Sequence, residues 1–258
     1  MEIEFHKYQG TGNDFIMIDC RNTSNLILTN DQIQQLCNRR FGIGADGLIQ
    51  IFHHESHDFE MRYCNADGSR SFCGNGARCA VQFAYSLGLF KDKAKFLAID
   101  GSHQAELVDN SVALKMTDVS KWEVNEDHFV IDTGSPHYIR FVNNLAEFDI
   151  VEFGRKIRYS DKYKSNGINV NLVEVRNDKS LSMITYERGV EDETFSCGTG
   201  ATAVALAFML KNNLKGAHEV RIKVKGGDLR VEVTQSESFR EIYLIGPAKS
   251  VFYGRVSV

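Results

Sequence analysis

Apolar residues recur at steps of three and four after two glycine-rich segments of the chain, a spacing that places them on one face of a helix. Residues 73–77 read Cys-Gly-Asn-Gly-Ala, and residues 197–201, 124 positions later, read Cys-Gly-Thr-Gly-Ala. Each segment therefore predicts the start of a helix. The second helix, over 200–210, is apolar nearly all round, which is typical of a helix enclosed by other elements.

The segments around the two predicted helices follow one order. An extended stretch precedes each helix, and two alternating stretches joined by a glycine turn follow it. The predicted strands are 59–64, 95–100 and 103–108 in the first copy, and 181–186, 221–225 and 229–233 in the second. The shared order indicates that the chain contains a duplicated unit of mixed helix and sheet.

This duplication predicts the fold class and the division of the chain. We expect an α/β protein of the α+β kind with two pseudo-symmetric lobes, the first over 1–117 and the second over 118–249. A polar stretch after a predicted strand marks the boundary, and the C-terminal strand over 250–258 is expected to complete the first lobe. A short amphipathic helix is predicted over 31–40, and strands are expected to dominate the remainder.

Composition and charge narrow the class of partner. The chain has 258 residues, of which 43% are apolar and 25% charged, as in globular proteins. Its net charge of −4, without a block of like charges, provides no basic surface for nucleic acid, so we expect a small-molecule partner. The longest apolar run, 203–210, is far shorter than the ~20 residues that span a bilayer, and residues 1–8 lack the pattern of a secretory signal. We therefore expect a cytoplasmic protein that is not embedded in a membrane.

The cysteines supply the candidate chemistry. All six lack Cys-x-x-Cys pairing and the spacing of zinc sites, so we expect free thiols and no metal site. Two of them, Cys73 and Cys197, precede the predicted helices. A helix N-terminus exposes backbone N–H groups and the positive end of the helix dipole, which bind a carboxylate and favour the thiolate form of a nearby cysteine. We expect the thiol pKa at both positions to fall towards the working pH.

Two such thiols, brought together by the duplication, suit inversion at the α-carbon of an amino acid. A thiolate removes the proton from one face, a thiol supplies a proton to the other, and the N–H groups stabilise the carboxylate of the carbanion, so that no cofactor is needed. The alternative is a redox role, in which Cys73 and Cys197 form a regulatory disulfide or a thiol peroxidase pair. A Gly-x-Gly-x-x-Gly match at 42–47 follows a predicted helix and precedes a predicted strand. In a dinucleotide-binding site the motif follows a strand and precedes a helix, so we do not expect NAD binding.

These segments resemble the motifs of the diaminopimelate epimerase family over nearly the whole chain. The matching motifs are Gly10-Thr11-Gly12-Asn13-Asp14-Phe15, Gly42-Ile43-Gly44-Ala45-Asp46-Gly47, Asn65-Ala66-Asp67-Gly68-Ser69, Cys73-Gly74-Asn75-Gly76 with Arg78-Cys79, Tyr186-Glu187-Arg188-Gly189, and Cys197-Gly198-Thr199-Gly200. The resemblance implies two lobes, each a curled, mostly antiparallel sheet around a central helix, with the substrate closed between them.

The resemblance also implies roles for individual residues. Cys73 and Cys197 are the acid and the base, and His137 and Glu187 assist their proton exchange. The substrate-binding residues, matched motif by motif, are Asn13, Asn65, Gly74, Asn75, Asn169, Glu187, Arg188, Gly198 and Thr199.

The chain departs from the family's pattern at three places. Ser135 stands where Asn is usual, and Gly47 stands where some members carry Gln. The interval from Asn65 to Cys73 is one residue shorter than usual. None of these departures alters the two thiols.

The activity that the resemblance implies is cofactor-independent epimerisation of LL-diaminopimelate to the meso form, on the route to lysine and peptidoglycan precursors. Racemisation of proline, hydroxyproline or histidine on the same fold is the alternative within this class, and a thiol redox sensor is the alternative of another class. The resemblance further suggests a homodimer, formed through the C-terminal strand around Phe252 and Tyr253.

Overall fold

The computed structural model describes residues 2–22, 26–178 and 180–258. The chain divides into two compact units, the first of Met1–Leu114 with Gly246–Val258 and the second of Lys115–Ile245. These boundaries fall a few residues before those suggested by the polar stretch in the sequence. The division into lobes over 1–117 and 118–249 stays a prediction.

The first unit is a twisted sheet with two helices. Its strands are β1 (Glu2–Gly10), β2 (Asn13–Asp19), β3 (Gly47–Phe52), β4 (Phe59–Asn65), β5 (Lys93–Ala98), β6 (Gly101–Val108), β7 (Ser111–Lys115) and β16 (Lys249–Ser257), and its helices are α1 (Asn30–Cys37) and α2 (Gly74–Ser86). The strand order is β16-β1-β2-β3-β4-β5-β6-β7. The pairs β2/β3 and β4/β5 are parallel, and the other neighbours are antiparallel.

The second unit repeats this arrangement. Its strands are β8 (Trp122–Val124), β9 (Phe129–Asp132), β10 (Pro136–Val142), β11 (Asn169–Val175), β12 (Leu181–Tyr186), β13 (Gly216–Val224), β14 (Gly227–Gln235) and β15 (Phe239–Gly246), and its helices are α3 (Ile150–Arg158) and α4 (Gly198–Lys211). The strand order is β8-β9-β10-β11-β12-β13-β14-β15, with β10/β11 and β12/β13 parallel and the rest antiparallel. The same succession of strand directions in both units confirms the predicted duplication.

Each sheet curls around one central helix. Helix α2 packs on β1, β2, β3, β4 and β16, and helix α4 packs on β9, β10, β11, β13 and β14. A second helix covers the opposite face of the central strands, α1 on β3 and α3 on β11. Because β3 is covered on both faces, all six of its residues are buried, which explains its nearly continuous apolar sequence. Helix α4 is buried nearly all round, as its sequence predicts. No helix among the described residues is long and apolar enough to cross a bilayer.

Two helices differ from the sequence-based prediction. Helix α1 begins after the N-cap Thr29 and ends at Cys37, three residues before the predicted end. It ends there because the side chain of Asn38 accepts hydrogen bonds from the N–H groups of Arg40 and Phe41, which replaces the next helical turn.

Helix α3 lies in a region where strands were expected. Asp149 caps it by accepting from the N–H groups of Val151 and Glu152. Gly154 lies on its buried face, where an added Cβ would come within 2.4 Å of the Tyr186 side chain. The missing side chain thus lets α3 lie directly on β12.

Candidate active site

The first thiol site, which comprises Cys73, Asn13 and Asn75, is built on the start of helix α2. Cys73 is the N-cap residue in extended conformation, with φ −134° and ψ 115°. Its sulfur accepts a hydrogen bond from the N–H of Gly76 at 3.4 Å. Gly74 and Asn75 follow in the first turn, at positions whose N–H groups no helical carbonyl can accept. The Cys73 sulfur therefore lies in the field of the helix N-terminus, as the position of Cys73 in the sequence predicts.

Asn13 at the start of β2 contacts this sulfur. Its amide nitrogen donates to Asp46 Oδ2 at 2.5 Å. Because a carboxylate only accepts, the amide oxygen must point the other way, towards Cys73 Sγ at 3.6 Å and Asn75 Nδ2 at 3.4 Å. Cys73 is therefore the donor in its contact with Asn13.

Asp46 belongs to an ion-pair network that holds Asn13. Arg39 bridges Asp14 at 2.6 Å and Asp46 at 2.7 Å, and the buried Lys7 pairs with Asp14 at 2.8 Å. Burial raises the pKa of Asp14, but hydrogen bonds and charge attraction from Arg39 and Lys7 outweigh it and lower the pKa to about 2. The Asp14 carboxylate is thus fixed as an acceptor. We did not predict this network, since its members lie in separate motifs.

Asn65 is engaged within its own loop in the first unit. Its amide nitrogen donates to Ser69 Oγ at 2.9 Å and Ser71 Oγ at 3.1 Å, and its oxygen accepts from Tyr63 at 2.9 Å. The Tyr63 ring also fills the space beside Gly47, where an added Cβ would lie 2.4 Å from a ring carbon. The same Cβ would lie 2.6 Å from the backbone oxygen of Cys64, so both the Tyr63 ring and the backbone of β4 require glycine at position 47.

The second thiol site, which comprises Cys197, Thr199 and His137, is built on the start of helix α4. Cys197 is the N-cap residue, with φ −121° and ψ 110°, and Gly198 and Thr199 open the first turn. Cys197 Sγ lies 3.5 Å from Thr199 Oγ1. Thr199 Oγ1 lies 2.9 Å from His137 Nε2 on β10. His137 is thus joined through Thr199 to Cys197, a connection that the sequence left undecided.

His137 is fully buried. Burial, with the nearby charge of Arg188, lowers the pKa of His137 to about 3, so its ring is neutral at physiological pH. Its other ring nitrogen, Nδ1, lies 3.1 Å from the amide nitrogen of Asn171. Asn171 was not among the predicted site residues. The Asn-x-Asn pattern of β11 could have identified it, because alternate residues of a strand share a face and Asn171 therefore lies on the same face as Asn169.

Asn169 and Arg188 form a polar group with Ser135. The amide nitrogen of Asn169 donates to Ser135 Oγ at 2.8 Å, and its oxygen accepts from the N–H of Arg188 at 2.9 Å. The Arg188 guanidinium donates to the carbonyl of Asn166 at 2.9 Å and to Ser135 Oγ at 3.3 Å. Ser135 therefore joins the two predicted binding residues, Asn169 and Arg188.

Glu187 directly follows β12, beside Arg188. Its backbone closes the turn after the strand, since its N–H donates to Asp192 O at 3.1 Å and its carbonyl accepts from Glu191 at 2.7 Å. The side chain is half-buried. Its role towards either cysteine stays a prediction.

The comparisons with known proteins settle the family. The family model for diaminopimelate epimerase matches residues 5–122 and 129–251. The chain belongs to the diaminopimelate epimerase family. It is 48% identical over 253 residues to the diaminopimelate epimerase of Flavobacterium psychrophilum, covering 97% of this chain and 98% of that protein. It is 43% identical to the enzyme of the same name from Chlorobaculum tepidum, covering 96% and 99%.

Membership of this family makes the chain an isomerase of the amino-acid epimerase class. Solved structures share its fold at low identity. A phenazine biosynthesis protein of the PhzF family from Bacillus anthracis matches with a TM-score of 0.79 and 14% identity over 100% of both chains. A hydroxyproline epimerase from Agrobacterium vitis matches with a TM-score of 0.70 and 13% identity over 100% of this chain and 93% of that one. At such identities the likeness shows the fold alone.

Replacing Asp14 with Asn should change the acid stability of the protein. The folded-state pKa of Asp14 is depressed from 3.8 to about 2, so its stabilisation is complete above pH 4 and is lost as the pH falls through 2. We expect Asp14→Asn to lower the free energy of unfolding at pH 7 by about 2 kcal/mol or more, and the difference from the natural protein to shrink between pH 4 and pH 2. Urea denaturation across this range measures it.

Asp161→Asn is the control, because the Asp161 side chain is 98% exposed and pairs with a neighbouring surface lysine. This variant should match the natural protein at every pH. A constant difference between the Asp14 variant and the natural protein from pH 5 to pH 2 would contradict the assigned pKa.

Proposed function

We propose that this chain epimerises LL-diaminopimelate to meso-diaminopimelate without a cofactor, for the formation of lysine and peptidoglycan precursors. Support comes from the family model, which matches almost the whole chain, and from relatives at 36–48% identity that all carry this name. The proposed location is the cytoplasm, where the six free cysteines would stay reduced.

The observation that carries the proposal is the repeated cysteine N-cap. In each unit, a cysteine in extended conformation precedes Gly-x-Gly at the start of the central helix. A reaction that treats both faces of one carbon alike needs two proton-transfer groups of the same kind. The duplication supplies one from each unit.

In the proposed mechanism, a thiolate removes the α-proton of the substrate and its sulfur becomes a thiol. The electron pair of the broken C–H bond delocalises into the α-carboxylate, which first-turn N–H groups at Gly74, Asn75, Gly198 and Thr199 are proposed to stabilise. The other thiol then delivers its proton to the opposite face of the carbon and becomes a thiolate. The enzyme returns to its first form when one proton passes from sulfur to sulfur, assisted by His137 and Glu187.

The contacts of the two sulfurs suggest which is protonated at rest. Cys73 donates towards the fixed amide oxygen of Asn13, which suits a thiol. Cys197 lies beside the hydroxyl of Thr199, which can donate to a thiolate. We propose that the resting enzyme carries the Cys73 thiol and the Cys197 thiolate.

The second amino-acid centre of diaminopimelate provides selectivity. Asn13, Asn65, Asn169 and Arg188 are proposed to bind the polar ends of the substrate. Their amide and guanidinium groups are already oriented by hydrogen bonds, which lowers the entropy cost of binding. Proline, lacking that second centre, would leave such groups unpaired and should be rejected.

Incubation with LL-diaminopimelate in deuterated water tests the activity. We expect meso product carrying one deuterium at the inverted α-carbon, because the proton that returns comes from a thiol that exchanges with solvent. Mass spectrometry with chiral separation measures it. Turnover of proline, hydroxyproline or histidine with none of diaminopimelate would instead support a different racemase, and a chain inactive in the presence of reductant would favour the redox sensor.

Alanine at either thiol position should abolish epimerisation. Cys73→Ala and Cys197→Ala each remove a proton-transfer group, and we expect kcat to fall at least 10³-fold, within the ~10²–10⁴ typical of general acid–base groups. Cys79→Ala is the matched control, because Cys79 is a fully buried residue within the helix that Cys73 caps. Near-normal turnover by either thiol variant, with circular dichroism unchanged, would contradict the paired-base mechanism.

We also propose a homodimer formed through β16. This strand lies at the edge of the first unit's sheet and exposes Val251, Phe252 and Tyr253 at 57%, 47% and 80% of their surface. An exposed apolar edge strand pairs readily with a second copy.

Tyr253→Glu should shift the mass measured by light scattering from that of a dimer to that of a monomer, because it places a charge on this edge strand. Tyr159→Glu, at a 53% exposed position of the second unit, should leave the dimer intact. A monomeric natural protein would exclude this part of the proposal.

A further inference from the structure

The two units place different side chains at equivalent positions beneath their cysteine helices. In the first unit, Phe15 on β2 lies opposite the first residue of β3, and Ile49 lies two residues further along β3. In the second unit, His137 on β10 lies opposite the first residue of β11, and Asn171 lies two residues further along β11. Phe15 is therefore the equivalent of His137, and Ile49 is the equivalent of Asn171.

The glycines of the helix starts confirm this correspondence. A Cβ added at Gly76 would lie 3.1 Å from Ile49 and 3.4 Å from Phe15. A Cβ added at Gly200 would lie 2.8 Å from Asn171 Oδ1. Each helix start thus rests on the same place in its sheet. The sheet surface beneath the helix start is apolar in the first unit, where Phe15 and Ile49 form it, and polar in the second, where His137 and Asn171 form it.

Asn171 is fully buried, and its contacts fix the orientation of its amide. The nitrogen donates to the backbone carbonyl of Tyr138 at 3.1 Å, and the oxygen accepts from Thr185 Oγ1 at 2.9 Å. A carbonyl only accepts, so the nitrogen must lie on that side. Its second hydrogen therefore points to His137 Nδ1 at 3.1 Å, and Nδ1 is the acceptor.

This orientation determines the direction of every hydrogen bond as far as the sulfur. A neutral imidazole carries one proton, and with Nδ1 accepting, that proton is on Nε2. Nε2 then donates to Thr199 Oγ1 at 2.9 Å. Since the hydroxyl oxygen is accepting from His137, its own hydrogen is available to Cys197 Sγ at 3.5 Å. The chain of hydrogen bonds ends with a donor directed at the sulfur.

We propose that Asn171 is a positioning residue that holds His137 in the Nε2–H tautomer and thereby stabilises the thiolate of Cys197 but not that of Cys73. The role builds on the proposed function, since the thiolate is the base of that reaction. Ile49 at the equivalent place in the first unit is apolar and donates no hydrogen bond. The buried amide of Asn171 thus adds to the differences that the contacts of Cys73 with Gly76 and Asn13 already create between the two thiols.

Few ionisable groups act on this chain of hydrogen bonds. His137 on β10 is neutral, and Arg188 after β12 carries the charge that acts on it, with Glu187 as its neighbour. The first turn of α4 has no acidic residue. The side chains of β11 and β12 that take part in this chain of hydrogen bonds are Asn171 and Thr185, which do not titrate. The buried side chains of β9, β13 and β14, strands described in full, include no titratable group.

Two substitutions of Asn171 test the proposal in the full-length protein. Asn171→Asp replaces the donor with a carboxylate, which should draw the imidazole proton to Nδ1 and turn the Thr199 hydroxyl from the sulfur to Nε2. Asn171→Leu removes the donor without adding charge. The readout is the rate of alkylation by iodoacetamide against pH, followed by mass spectrometry separately for the peptides of Cys73 and Cys197. Only thiolates react, so each profile reports one pKa.

We expect both variants to raise the apparent pKa of Cys197, so that the midpoint of its alkylation profile moves up by about one pH unit, and to leave the profile of Cys73 unchanged. Thr202→Val is the matched control. Thr202 is equally buried on α4, but its hydroxyl donates to Gly198 O and lies outside the chain of hydrogen bonds. An unchanged Cys197 profile in a folded variant, or an equal shift at Cys73, would overturn the proposal.

A measurement on the natural protein covers the case in which the Asn171 variants do not fold. Nitrogen-15 NMR of labelled histidine rings distinguishes the two tautomers, with the His137 signals assigned through a His137→Gln variant. We expect Nε2 protonated and Nδ1 bare from pH 5 to pH 8. The opposite tautomer would refute the role of Asn171. Neither the alkylation profile nor the NMR spectrum needs substrate. A chain that does not epimerise diaminopimelate could therefore still show the Asn171 effect, so failure of the proposed function and failure of the Asn171 proposal are distinguishable.

Discussion

Both thiol sites depend on the close approach of a helix start to the sheet beneath it. Gly76 and Gly200 make this approach, since at Gly200 even a methyl group would lie within 2.8 Å of Asn171 and 3.3 Å of the Cys197 sulfur. Contact with the sheet fixes the first turn, so that its N–H groups and the N-cap cysteine keep a defined direction. The Gly-x-Gly that follows each cysteine is therefore a packing requirement as well as a source of exposed N–H groups. The repeat was visible in the sequence because this requirement is local.

Local sequence patterns made much of the fold predictable. They were insufficient where the same residues fit both a helix and a strand. The helices after Cys73 and Cys197 were found because glycine and small apolar residues mark their starts clearly. Helix α3 was missed because its nine residues, Ile150–Arg158, include Ile, Val and Phe, which also favour strands. Such a short segment does not separate a period of 3.6 from simple alternation. Its capping residue, Asp149, was the signal that could have identified it.

The candidate site likewise has a part that the sequence predicts and a part that it does not. Cysteines, asparagines and the arginine that carry the resemblance lie in short motifs, and the structure holds them in hydrogen-bonded groups within each unit. The partners that orient them could not be predicted, because they depend on register between distant strands. Asn171 reaches His137 across 34 residues, and Asp46 reaches Asn13 across 33. A one-residue change in either pairing would turn the side chain to the other face of the sheet.

A duplicated fold has a drawback for the proposed two-base reaction, which divergence of the two units removes. The reaction needs one thiol and one thiolate together. If two independent thiols had equal pKa values, about a quarter of molecules at best would carry the required form, with the same fraction in its mirror arrangement. If the pKa values differ by about two units, about four fifths carry it midway between them. Under our proposal, His137 and Asn171 behind Cys197, in place of the apolar Phe15 and Ile49 behind Cys73, move the two pKa values apart while the strand register stays the same in both units.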